Sequence, residues 1–121
     1  MAFSLLLVDE DIQFQTALAR RLTAAGFSVQ FAEDIKDAMA KVEARELDLL
    51  VAGVAGEDNE ILEAVRQMKA ARPALEIILL CGRSSLAFSM KSMRAGAFDC
   101  LVKPTDIEQL ITRIKEALKT G

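Results

Sequence analysis

Asp9, Glu10, Cys81 and Lys103 are the residues whose types could do chemistry and whose positions share a reason. Each ends an apolar run: Phe3 to Val8 stops at Asp9-Glu10-Asp11, Leu75 to Leu80 stops at Cys81-Gly82, and Phe98 to Val102 stops at Lys103-Pro104. A further run, Leu49 to Ala52, stops at Gly53, which offers no functional group. Taken as parallel strands, these runs bring their carboxyl ends to one crevice. Two carboxylates and one ammonium then converge. Two carboxylates about 4 Å apart at a partly exposed site repel by roughly 4 kcal/mol, which a divalent ion or a nearby lysine offsets. A plainer reading stays open beside this one: acids after a strand often cap the next helix, and a lysine at a strand end is often solvated. Histidine is absent from the chain, which removes serine-type triads and histidine-based metal sites.

The elements that must position these residues alternate. Unbroken apolar runs such as Leu49 to Ala52 and Ile77 to Leu80 are too short for helices and read as strands covered on both faces. Between them lie helical patterns. Asp11 caps one whose apolar face is Phe14, Leu18, Leu22 and Ala25, ended by Gly26; Asp34 caps a second with Ile35, Ala38, Met39 and Val42. Glu57-Asp58-Asn59 opens a third with Ile61, Leu62, Val65 and Met68 inward, and Pro73 lies past its end. Asp58 reads as that helix's cap. Ser84 or Ser85 caps a fourth that runs to Ala95 and carries a weaker stripe of Leu86, Met90 and Met93. Thr105 and Glu108 form a capping box before the clearest apolar face, Ile107, Leu110, Ile111, Ile114 and Leu118. The methionines at 39, 68, 90 and 93 read as core, and Arg20-Arg21 as a solvated helix face. With the short alternating run Phe27 to Phe31, five βα units result. They predict an α/β fold, a doubly wound five-stranded parallel sheet with helices on both faces, in one domain spanning residues 1–121.

Composition narrows the function. The apolar share of 52% and charged share of 27% suit a globular protein, and 15 Lys+Arg against 18 Asp+Glu give a net charge of -3. No basic block is present to track a phosphate backbone, so direct nucleic-acid binding is not expected. The start lacks the charged region of a signal peptide, and no apolar run reaches membrane-spanning length. Two cysteines without a disulfide framework fit a cytoplasmic protein with reduced thiols.

The five βα units, the acidic pair Asp9-Glu10 after strand one and Lys103-Pro104 after strand five resemble the receiver domain of two-component response regulators, the flavodoxin-like fold typified by CheY. Asp48 before strand three and Ala95-Gly96-Ala97-Phe98-Asp99 before strand five are also similar to that family. The resemblance implies a phosphorelay: a sensor kinase's phosphohistidine donates a phosphoryl group to an aspartate ending strand three, an acidic pair holds Mg²⁺, and a lysine contacts the phosphoryl group. A Ser/Thr and an inward-turning aromatic then respond, and the face of helix four, strand five and helix five changes partners. A nucleophilic carboxylate, a metal and an ammonium are what phosphoryl transfer requires.

By this resemblance Asp9 and Glu10 take the metal positions and Lys103 the phosphate contact, but Gly53 falls on the acceptor position, Cys81 on the Ser/Thr and Cys100 on the aromatic. Gly56 and Glu60 also depart from the usual proline and glycine. The expectation is therefore an atypical receiver, not an enzyme, with no cofactor beyond weak or vestigial Mg²⁺ and a standing contact of Lys103 with Asp9 or Glu10. Its expected partners are proteins, a sensor kinase or output domain, on the face of helix four, strand five and helix five. A homodimer is compatible with that face, and no membrane partner is expected. Two alternatives stand beside it: an ordinary phosphorylatable receiver substituted at Gly53, and a redox-sensing module using Cys81 and Cys100. An enzyme of the flavodoxin-like type fits less well, because an acidic loop after strand one repels phosphate. Whether the Lys103-Pro104 peptide is cis, as in the family, and whether Gly121 is a natural end are not legible in the residues.

Overall fold

The five apolar runs become strands and the patterned stretches helices in a computed structural model that describes residues 2–55, 58–82 and 86–120. In chain order they are β1 (Ser4–Val8), α1 (Ile12–Ala24), β2 (Ser28–Phe31), α2 (Ile35–Ala44), β3 (Leu49–Val54), α3 (Asn59–Ala71), β4 (Glu76–Cys81), α4 (Leu86–Ala95), β5 (Asp99–Val102) and α5 (Ile107–Thr120). All strand pairs are parallel, in the order β2-β1-β3-β4-β5. The three inner strands are apolar on both faces, as the sequence predicts. Leu5, Leu7, Leu49, Val51, Ile78 and Leu80 pack with Leu18, Leu22, Leu110 and Ile114 of α1 and α5. On the other face Leu6, Leu50, Ile77 and Leu79 pack with residues of α2, α3 and α4, among them Val42, Val65, Met68 and Phe88. Each fully buried leucine contributes roughly 1.5–3 kcal/mol, so the sheet and its two helical layers hold each other in place.

Strand order reverses between β1 and β3, the point where ligands bind in such sheets. Val8 pairs with Ala52, which sets Asp9 beside Gly53. Asp48 secures the opposite end: its carboxylate accepts the Ser4 N–H at 2.7 Å, and its own N–H donates to the Ser4 carbonyl at 2.8 Å. The helix caps follow the sequence at Asp11, which accepts from the Phe14 N–H at 3.1 Å, at Asp34, which accepts from the Asp37 N–H at 2.8 Å, and at Asp58, which accepts from the Glu60 N–H at 2.8 Å. Gly26 has φ of 99°, the left-handed conformation that ends α1.

Five sequence expectations change. β3 continues through Gly53 to Val54, since Gly53 and Val54 pair with Leu80 and Cys81. The face of α4 is rotated from the one predicted: Phe88, Ser92 and Ala95 are buried, while Leu86, Met90 and Met93 are 79%, 46% and 50% exposed. Ser92 can enter the core because its hydroxyl donates to the Phe88 carbonyl at 2.9 Å, leaving no polar group stranded. The last helix is capped by Asp106, whose carboxylate accepts the Glu108 N–H at 3.0 Å, and Thr105 instead donates to the Val102 carbonyl. Glu108 reaches Arg21 of α1, so that arginine is ion-paired. Ala25 is exposed past the end of α1. The proposed roles of Gly56, Glu57, Ser84, Ser85 and Gly121 fall outside the described residues.

Candidate functional site

Three strand ends meet at the crevice. Asp9 follows β1, Gly53 is the next-to-last residue of β3, and Lys103 follows β5, its N–H donating to the Cys81 carbonyl at 2.7 Å. The Lys103-Pro104 peptide is cis. The Lys103 ammonium lies 2.9 Å from Asp9 Oδ1 and 2.7 Å from Oδ2. Asp9 Oδ1 also accepts the Asp11 N–H at 2.9 Å, while Oδ2 is buried and has only the electrostatic contact with the ammonium. The Asp9 side chain is 7% exposed and that of Lys103 27%. The charge is therefore compensated at a largely water-excluded position, where an unpaired carboxylate would be costly. Phe14 of α1 adds a further contact, its ring centroid 5.7 Å from the ammonium, within cation–π range.

Gly53 makes room for that pair. A Cβ on Gly53 would stand 2.4 Å from Asp9 Oδ2 and 2.6 Å from Asp9 Cγ. The carboxylate of β1 thus covers the Cα of β3, and a side chain at position 53 requires it to move. Glu10 is exposed, and among the described residues it makes no ion pair. The small cavity over the pair, about 70 Å³, is lined by Asp9, Glu10, Gly53, Val54, Ala55 and Lys103. A neighbouring cleft of about 280 Å³ has Glu10, Glu33, Asp34, Asp58 and Glu60 in its wall. An anion entering from that side meets carboxylates.

Cys81 and Cys100 lie apart from this pair, inside the sheet. Cys81 is fully buried, and Cys100 is partly buried against the same core cluster beneath α4. Their sulfurs are 3.1 Å apart without a disulfide bond. At the far side of β5, Arg113 of α5 donates through Nε to Asp99 Oδ2 at 2.7 Å and stacks on Phe98, with its guanidinium carbon 5.1 Å from the ring centroid. The Asp99 hydrogen bond raises the already high pKa of that guanidinium. Sequence reasoning brought Asp9, Gly53 and Lys103 together correctly. It missed Phe14, whose place in the first turn of α1 beside the acidic loop was the available signal.

A family model of the response regulator receiver domain matches residues 5–115. The chain belongs to that family. This receiver domain is 36% identical over 107 residues to the photosynthetic apparatus regulatory protein RegA of Rhodobacter capsulatus, a match covering 88% of this chain and 58% of RegA. It is 31% identical over 114 residues to the transcriptional regulatory protein ZraR of Salmonella typhimurium, covering 94% of this chain and 26% of ZraR. The chain therefore spans only part of the length of these relatives. Among solved structures, the CheY-like receiver domain protein of Methanospirillum hungatei superposes with a TM-score of 0.89 at 28% identity, over 99% of this chain and 96% of that one. The receiver domain is a signalling module of two-component response regulators, and its parallel five-stranded fold is the family's.

Proposed function

We propose that this receiver domain acts through protein contacts without an aspartyl phosphate at position 53. The observation that carries the proposal is the Asp9 carboxylate covering the Cα of Gly53 while paired with Lys103. A glycine has no side-chain oxygen to accept a phosphoryl group, and Lys103, the cation that would balance its charge, is engaged with Asp9. Cys81, offered by the resemblance as a remnant of the phosphate site, has its side chain in the core, and Cys100, the switch position, lies against it.

Asp9 and Glu10 are the carboxylates that would hold Mg²⁺. They suit it poorly, because both Asp9 oxygens face an ammonium and a cation has to displace Lys103. Among the described residues no group of three or more His, Cys, Asp or Glu side chains is arranged to hold a metal ion. We assign no enzymatic activity and Mg²⁺ binding that is weak at most.

The surface offered to a partner is that of α4, β5 and α5. Leu86, Met90, Met93 and Val102 are exposed there, and a groove of about 420 Å³ follows β5 between Val102, Pro104, Thr105 and Gln109. Exposed apolar side chains beside a groove suit a protein partner, such as a kinase, an output domain or a second copy, in the cytoplasm. No helix of the described residues is long and apolar enough to cross a membrane, and the net charge of -3 speaks against nucleic acid as its direct ligand.

Incubation with acetyl phosphate and Mg²⁺ followed by intact mass measurement tests the proposal. The mass is expected to stay unchanged; a base-labile gain of one phosphoryl group overturns it.

A further inference from the structure

The chain has two cysteines, in different strands and nineteen positions apart, and the fold brings their sulfurs to 3.1 Å. Register explains this. Cys100 pairs with Leu79 and Cys81 with Val102, so Cys81 and Cys100 are diagonal neighbours, and both pack on the face of the sheet under α4. With parallel strands about 4.8 Å apart and a rise of about 3.3 Å per residue, neighbours two positions out of step stand roughly 8 Å apart at Cα. An unstrained disulfide spans up to roughly 7 Å. The sulfurs already touch, and the backbone needs only a small movement for a bond to form.

From this we infer that Cys81 and Cys100 form an oxidisable dithiol, converted by a hydroperoxide to a disulfide that ties β4 to β5. The partly exposed Cys100 is the attacking sulfur and the fully buried Cys81 the resolving one. The Cys100 thiolate attacks one peroxide oxygen, the O–O bond breaks, and the alcohol or water leaves with the thiol proton, giving a sulfenic acid. The Cys81 sulfur then attacks the Cys100 sulfur, the S–O bond breaks, and hydroxide leaves as water with the Cys81 proton. Two thiols lose two electrons and two protons, and one hydroperoxide is reduced. The S–H···S hydrogen bond favours the second step, since the resolving sulfur needs no approach.

The bond has a structural consequence. Cys81 packs with Phe88, Ala95 and Ala97, and Cys100 lies against the same cluster. Drawing β4 and β5 together at this point moves the floor on which α4 rests. Oxidation therefore acts on the face where Met90 and Met93 are exposed, independently of any chemistry at position 53.

The test uses the reduced protein, treated with stoichiometric hydrogen peroxide, then denatured and alkylated, with mass measured without reductant. The expected product is a monomer about 2 Da lighter than the reduced chain, carrying no alkyl label and restored by a thiol reductant. With two cysteines in the chain, an intramolecular bond must join Cys81 to Cys100. Cys81→Ser is expected to lose the bridge and accumulate higher oxides on Cys100. Wild-type protein that takes up two labels after peroxide, proceeds to sulfinic acid without a bridge, or cross-links only between chains overturns the inference.

Discussion

The carboxylate of Asp9 lies over the Cα of Gly53, so close that a Cβ there would stand 2.4 Å from Oδ2. The two residues sit side by side because β1 and β3 pair through Val8 and Ala52. The Lys103 ammonium and the Asp11 N–H hold the carboxylate where it is.

Substitution at position 53 is accordingly expected to destabilise. Gly53→Ala and Gly53→Asp both force the Asp9 carboxylate off its partners, and overpacking of this kind costs roughly 1–3 kcal/mol. Urea denaturation measures it. If Gly53→Ala is as stable as the parent, the carboxylate moves freely and does not block the site.

Lys103→Met removes the cation and leaves the Asp9 side chain, 7% exposed, without its counter-charge. Because the lysine is itself partly solvated, the expected loss is about 1–3 kcal/mol, less than for a fully buried pair. Asp9→Asn combined with Lys103→Met should recover part of it. The same Lys103→Met change releases Asp9 for a metal, so calorimetric Mg²⁺ titration should show tighter binding than the parent's. Micromolar Mg²⁺ affinity in the parent contradicts the arrangement described.

The phase of α4 is checked by a pair of substitutions. Phe88→Ala, on the buried face, is expected to cost roughly 3–5 kcal/mol. Met90→Ser, on the exposed face, should change stability by no more than about 0.5 kcal/mol while weakening partner binding. Equal losses would return Met90 to the core.

Asp37 supplies a pH dependence. Its pKa is held below the ordinary value of 3.8, first by the hydrogen bond from Lys41 and then by the Glu33 N–H. A carboxyl depressed in the folded state stabilises it above the unfolded pKa. That contribution is lost as pH falls from about 3.8 through the lowered folded value. Asp37→Asn should therefore be less stable than the parent at neutral pH, and denaturation at decreasing pH should bring the two together below that window.

Much of the fold was legible because local chemistry decides it. Leu49 to Ala52 is apolar without interruption, which only a strand covered on both faces tolerates, and Ile107, Leu110, Ile111 and Ile114 repeat at the helical period. Asp11 and Asp34 cap their helices within three residues of themselves, so their partners are fixed by nearness along the chain. The crevice was legible too, since strand ends of such a sheet must converge. What the tertiary structure alone decided are relationships across the sheet and between layers. α4 turned a different side inward: Phe88 fills the core, and Ser92 can follow it there because its hydroxyl bonds within the helix. Asp9 rather than Glu10 took Lys103, and covered Gly53, because pairing of Val8 with Ala52 puts Asp9 next to the glycine. The sulfur contact between Cys81 and Cys100 depends on the register of β4 against β5, which no local pattern in either strand encodes. Periodicity states which way a residue faces within its own element; distances between elements arise only when the whole core packs.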